Sequence, residues 1–508
     1  MAPPFKRALP LRADLAQQKT QAKDLLQAFT AGDTEAIARV RDALPDKTRI
    51  VLADVQFVLA REYGFQNWTA LKQHIDDRTA AARAPHEQLH HALHRRDAVT
   101  VKRLLSEHAE FRPLINAPFF PYNAPALVAC ADDAAMVEVL LEFGADPNLR
   151  SGWWAGGFHA LHSATGAAAE RLLAAGGIPD ACAAAHLDDH VLLASMLASD
   201  PSKVAERGGD GQTPLHFARS QRVVDLLLNA GADIDARDVD HRATPAEWML
   251  DRSRGAGRYE LAQYLVAERG AAADIFLAAA LGRTDAVLEM LQRNPSLLDE
   301  ETGRGRYAEQ PPSSFHIYFW TIGSNRRPLD VAAQFGHDDT LSAMLAFATP
   351  VQRLRLACRR DDGAGARALV HEHPGIVASL SPDDRRAITD AAWNGDAAAV
   401  SLMLELGFDP GARGHDGGTA LHCAAWQGSA DAVAAILRYE AGRALIAAPD
   451  GHHQSTPLGW CCHGSLHGPR GGDFPAIAQL LLEAGATLEA LDASDEVESV
   501  LTGWSRPA

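Results

Sequence analysis

Cysteine is scarce in this chain, with six in 508 residues. Cys130, Cys182, Cys358, Cys423, Cys461 and Cys462 show no CxxC spacing, which excludes a disulfide-stapled scaffold and a zinc ribbon. Cys461 and Cys462 are adjacent, which disfavours an ordinary structural disulfide between them. Aromatic residues make up only 6%, so the core must be built from Ala, Leu and Val. No apolar run approaches the ~18 residues a spanning helix needs, and no membrane contact is expected. The opening MAPPFKRALP is basic but has no apolar stretch behind it, so no secretory leader is expected either. A basic excess is also missing. Forty-eight Lys+Arg stand against 65 Asp+Glu, a formal charge of -17, which argues against nucleic-acid binding through a concentrated Lys/Arg surface. Residues 1–83 carry 13 basic and 10 acidic side chains, so the acidity belongs to the rest of the chain. A reducing cytoplasm is the expected location.

What is present is ordinary globular composition, 47% apolar and 22% charged, in a chain too long for one compact core. It is also periodic. TPLHFARSQRVVDLLLNAGAD from Thr213 is echoed by TALHCAAWQGSADAVAAIL from Thr419, by PLDVAAQFGHDDTLSAML from Pro328 and by AITDAAWNGDAAAVSLMLELGFD from Ala387. Aligned on the Leu of TPL, the echoes fall at Leu89, Ala126, Leu161, Ala181, Leu215, Ala246, Ile275, Leu329, Leu354, Ile388, Leu421 and Leu458. Those eleven intervals cover 369 residues, about 33.5 each. Thr before Pro supplies an N-cap and a first-turn proline for one helix. A small pair such as Ala424–Ala425 permits close packing, and Gly336, Gly395 or Gly428 ends the helix. A second helix follows with Val and Leu at helical spacing. The chain resembles the ankyrin-repeat family over about residues 86–490, with about twelve partly degenerate repeats. The fold class this implies is all-α: a solenoid of stacked helix-turn-helix repeats with a helical N-terminal cap.

Departures from the period define the expected organisation. The intervals Leu161 to Ala181 (20 residues) and Leu329 to Leu354 (25) require shortened units, whereas Ile275 to Leu329 (54) requires an insertion, about residues 301–327. Residues 1–83 are predicted to form the helical cap, or alternatively a separate docking module, with Thr79–Pro85 as the joint. Residues 86–490 form the array, which carries a second insertion from His463, and 491–508 form a C-terminal cap or tail.

Several patterns imitate catalytic chemistry. HEQLH at His86–His90 has the form of a zinc-protease helix, which needs both imidazoles on one helical face. The repeat register instead places His86 and Glu87 in a loop and at an N-cap, and makes His90 the usual repeat histidine. His452, His453, Cys461, Cys462, His463 and His467 are zinc-competent types, but their spacing matches no finger. In register, Cys461 and Cys462 fill the small pair, where a thiol acts as a buried apolar group. Gly303–Ala308 imitates a dinucleotide loop without a preceding strand, and Gly464–Gly468 lacks the nucleophile-elbow spacing. No catalytic residue, metal ligand or cofactor is assigned, and the chain is not expected to be an enzyme. His162, His216 and His422, at the TPLH position, are expected to be buried hydrogen-bonding groups.

The 301–327 insertion is unusual in another way. Tyr307, Phe315, Tyr318, Phe319 and Trp320 place five of the chain's 33 aromatic residues within fourteen positions. Beside Arg304, Arg306, Arg326 and Arg327 they have the composition of an interface hot spot, or of a plug folded back over a groove. Trp153 and Trp154 pose the same choice. The family resemblance implies an intracellular protein-protein interaction scaffold that uses loop tips and the concave face. The acidic body favours a partner protein with a basic surface. The expected contact residues are Trp153, Trp154, Arg237, His241, Tyr307, Phe315, Tyr318, Phe319, Trp320, His415 and His452. The alternative is an enzyme or a small-molecule or metal binder in the groove, centred on the His/Cys cluster.

Overall fold

A computed structural model of the chain describes residues 5–7, 9, 15–45, 47, 50, 52–68, 70–72, 74–75, 85–251, 257–308, 315–469, 471–488 and 492–504. The chain divides into two compact units, Ala84–Gln352 and a second made of Met1–Arg83 with Arg353–Ala508. Among the described residues the regular structure is helical, and the only extended pairing is two isolated bridges, Phe120 with Ala124 and Arg150 with His159.

Each of the twelve register positions lies inside the first helix of a helix pair, eight in the 84–352 unit and four in the other. Thr213–Pro214, Thr244–Pro245 and Thr456–Pro457 start their helices as the sequence implies. The small pairs Ala391–Ala392 and Ala424–Ala425 are fully buried. Gly336, Gly395 and Gly428 turn out of the first helix with φ of 79°, 71° and 77°. At Gly428 a side chain is excluded twice over, because a Cβ would also stand 2.4 Å from the Gly472 Cα. Arg96, Asp188 and Asp361 adopt the same left-handed turn, with φ of 53–58°, at some energetic cost. In the short Leu161 unit, the first helix shrinks to the single 3-10 turn Ala160–His162. Apolar faces merge between neighbours, so Leu93, Leu104, Leu140, Leu161 and Leu172 belong to one continuous cluster.

The N-terminal segment includes the helices Leu15–Thr30, Thr34–Ala43 and Leu52–Glu62, packed around Ala22, Leu25, Val40, Val55, Val58 and Leu59. Arg39 forks onto the Glu62 carboxylate at 2.8 and 2.9 Å. Lys72 stands 3.4 Å from Asp495 and 3.5 Å from Glu496, on the helix Asp495–Gly503. Of the expected joint Thr79–Pro85, only Pro85 lies within the described residues.

The insertion is closed at its base. The Thr302 N–H donates to the Arg326 carbonyl at 3.0 Å, and the Asn325 N–H donates to the Thr302 carbonyl at 3.1 Å. Above this neck the aromatic residues divide. Tyr307 and Tyr318 turn inward against Phe276, with ring centroids at 5.0 and 5.7 Å. Both hydroxyls donate to Asp274, at 2.6 and 2.8 Å. Asp274 also caps the helix Ile275–Ala280 by accepting from Leu277 N–H at 2.9 Å. Tyr318 is fully buried, whereas Trp320 is 62% exposed. Residues 309–314 lie outside the described residues.

This division predicts opposite outcomes for neighbouring truncations. Tyr318→Ala should cost about 3–5 kcal/mol through a core cavity and a lost carboxylate donor. Trp320→Ala should stay within about 0.5 kcal/mol of wild type. Urea denaturation measures both, and an unchanged midpoint for Tyr318→Ala would overturn the assignment of this ring to the core.

Candidate interaction surface

Two of the loops that could meet a partner are held by a histidine bracket. In Thr213–Pro214–Leu215–His216, the Thr213 N–H donates to His216 Nδ1 at 3.1 Å, and the Thr213 hydroxyl lies 2.9 Å from the same nitrogen. His216 Nε2–H donates onward to the Ala243 carbonyl of the next repeat at 3.1 Å. His422 repeats this with Thr419 at 3.1 Å and the Ser455 carbonyl at 3.1 Å. His162 keeps the local half, but its Nε2 reaches Asp180, the next N-cap, at 2.9 Å. Burial disfavours the imidazolium and pushes His216 down to about 3 and His422 to about 4. His186 also falls to about 4, through burial and then the nearby Arg219.

Two loop tips have a second tie. Asp238 accepts from the His241 N–H at 2.6 Å and from the Trp248 indole N–H. Asp450 accepts from the N–H groups of His452 at 2.8 Å and Ser455 at 3.1 Å, and from the Trp460 indole at 2.8 Å. Burial alone would raise the Asp450 pKa, but the Trp460 and backbone donors hold it well below the usual carboxylate range. Both ties span an identical interval of ten residues. This Asp-x9-Trp spacing was a readable signal that periodicity alone did not single out.

The expected contact residues separate into groups. Tyr307 and Tyr318 are buried at 4% and 0% exposure, so they support the insertion from within, a correction to their expected place at the interface. Their hydroxyls find a half-buried carboxylate acceptor in Asp274, which explains the inward turn. Beside them, burial and then Asp274 push the Glu247 carboxyl upward. Phe315 and Phe319 are half-buried and stack at 4.6 Å. Trp320 projects beyond them. His241 Nδ1–H donates to the Phe315 carbonyl at 2.8 Å, joining its tip to the insertion. Arg237 donates to the Arg242 carbonyl at 2.5 Å and lies 3.8 Å from Glu247. Trp153 meets Tyr122 edge-on at 4.7 Å and Trp154 at 5.8 Å, with Tyr122 and Trp154 52% and 47% exposed. Tyr122 was not among the expected residues. His452 is exposed, 3.4 Å from Asp416, while the side chain of His415 lies outside the described residues.

Two cavities accompany these tips. In the 84–352 unit, a cavity of about 720 Å³ is lined by Tyr122, Phe158, His162, Phe217, Arg219, Trp248 and Arg258, among others. In the other unit, one of about 470 Å³ is lined by Trp393, Trp426, Trp460, Asp416, Asp492, His453, Cys462 and His463. Both have the size of small-ligand sites.

The metal-like patterns resolve differently. The helix Pro85–His94 includes His86 and Glu87, correcting the expectation that they sit off the helix. Pro85 at the first position and Glu87 in the first turn favour that earlier start. His90 is exposed rather than bracketed, because Glu87 replaces the threonine three residues before it. Its ring lies 4.2 Å from that of His94. Cys461 and Cys462 are fully packed, and burial pushes the Cys461 thiol far up. Among the described residues, the set able to converge on a cation is Asp210, Asp240 and His241, with donor atoms within 4.8 Å of one another. His241 Nε2 is 3.6 Å from Asp240 there.

The bracket and the helix pair recur together, and family comparisons meet them in both units. The ankyrin-repeat family model matches residues 210–239, which contain His216. A model of three consecutive ankyrin repeats matches residues 388–492, which contain His422. The chain carries ankyrin repeats. Among solved structures, the crystal structure of the human ASB11 ankyrin repeat domain matches at 18% identity, covering 47% of this chain and 100% of that one, with a TM-score of 0.29. No curated protein matches the chain.

The ankyrin histidines impose a pH dependence. Their folded pKa values lie below the ordinary 6.5, so the unfolded chain takes up protons first as pH falls. Their contribution should be complete above about pH 6.5 and decline toward pH 3–4. Thermal melts between pH 7 and 4 should show this loss. A His216→Gln/His422→Gln double variant should melt lower at pH 7 but fall less steeply with acid, and parallel curves would refute the bracket as its source.

Proposed function

We propose that this protein is a cytoplasmic, non-catalytic scaffold that binds a partner protein through its loop tips. Ankyrin repeats are in general protein-protein interaction modules. The observation that carries the reading here is the exposure of large aromatic side chains, Tyr122, Trp154 and Trp320, on loops closed by backbone hydrogen bonds from Phe120 to Ala124, Ser151 to Phe158 and Thr302 to Arg326. Rigid aromatic anchors gain affinity because little conformational freedom remains to be lost on binding. The net charge of -17 supports a partner with a basic surface and opposes nucleic acid. Six free, buried cysteines suit a reducing compartment, and among the described residues no helix is long and apolar enough to cross a membrane.

Affinity capture from native lysate, with wild type beside a Trp154→Ala/Trp320→Ala variant, tests this reading. A partner retained by the wild type should be reduced about tenfold or more by the variant, with an unchanged melting temperature. Equal capture by both would remove these tips from the interface.

A further inference from the structure

The smaller cavity has a composition that no other repeat reproduces. Five residues after the register position, the last three repeats carry Trp393, Trp426 and His463. In the other nine repeats that position is His94, Ala131, Gly166, His186, Ser220, Asp251, Ala280, Gln334 and Arg359, so tryptophan there is confined to two adjacent repeats and is not a requirement of the fold. Stacking of successive repeats sets the Trp393 and Trp426 planes within 7° of parallel, with centroids 6.3 Å apart. Trp460 stands at 77° to Trp393, with centroids 6.5 Å apart, and forms a perpendicular wall. Its orientation is fixed by the 2.8 Å bond from its indole N–H to Asp450. Trp393 and Trp426 remain partly exposed. Two exposed carboxylates, Asp416 and Asp492, also line it, together with His453, Cys462 and His463, whose ring lies 5.4 Å from that of Trp426.

Indole faces present negative charge to whatever lies over them, and a cation within about 6 Å of a ring centroid is attracted. Carboxylates add to that field. Residues 390–508 carry 15 acidic against 5 basic side chains, a formal charge of -10 that makes this stretch the acidic end of the chain. A primary ammonium would have to surrender strong hydration to meet apolar walls. An N-methylated ammonium keeps its charge, sheds much of that hydration and offers methyl groups to the rings. We infer that the cavity formed by Trp393, Trp426 and Trp460 is a recognition site for an N-methylated lysine side chain of a protein partner. This rests on the scaffold reading, and it gives the His/Cys region an organic cation in place of a metal as its ligand.

The test uses the full chain and Gly/Ser-flanked peptides with one central lysine, in its unmodified, trimethylated and acetylated forms. A fourth peptide replaces the trimethylammonium by its uncharged tert-butyl analogue. Isothermal titration should show the trimethyl-lysine peptide binding at least tenfold more tightly than each of the others. Trp426→Ala should abolish that preference, Trp426→Phe should restore part of it, and Trp320→Ala should leave it intact. The peptide comparison needs no variant, so a folding defect in Trp426→Ala cannot obscure the answer. Equal binding of the charged and neutral analogues, or no binding at millimolar peptide, overturns the proposal. If lysate capture through Trp154 and Trp320 survives that result, the cavity assignment alone has failed. Loss of capture as well would remove the scaffold reading with it.

Discussion

At two joints between repeats, one histidine side chain carries the polar connection. A helix pair of this length cannot bury its apolar face alone, so the unit of stability is the contact between neighbours. His216 and His422 make that contact directional, accepting from their own N-cap threonine and donating to a carbonyl of the following loop. A neutral imidazole has one donor and one acceptor, and each is used by a different repeat. Two elements of the recognition surface sit at these joints, the 238–241 tip after His216 and the 450–455 tip after His422.

The two units show aromatic side chains drawn inward where a carboxylate accepts from their polar group. Tyr307 and Tyr318 go inward because Asp274 accepts both hydroxyls. Phe319 and Trp320, on the same short insertion, stay at or near the surface. Trp248 and Trp460 are buried where a tip aspartate receives their indole N–H. A few carboxylates placed at helix starts and loop tips thus sort the scarce rings between core and surface.

The helix pairs were legible because their signals are local and repeated: Thr-Pro caps, small pairs and turn glycines act within a few residues. The small-pair role of Cys461 and Cys462 followed from register alone, and their complete burial agrees with it. What register could not convey was the fate of the insertion, because inward or outward placement depends on Asp274, more than thirty residues earlier in the chain. The start of the first helix was missed for the opposite reason. Pro85 and Glu87 are local signals that outweigh a repeat template lacking its threonine. The tryptophan walls of the 470 Å³ cavity needed three repeats in register before separate residues became one surface.

The acceptor at the far end of the bracket is a main-chain carbonyl, at Ala243 in one unit and Ser455 in the other. Every amino acid supplies that group, so the receiving repeat is free to change its side chain there without breaking the bond. Divergence therefore has unequal consequences along a unit, with the threonine and histidine constrained as givers and the receiving loop open to drift. Such an arrangement lets neighbouring repeats lose their resemblance to one another while the joint between them persists.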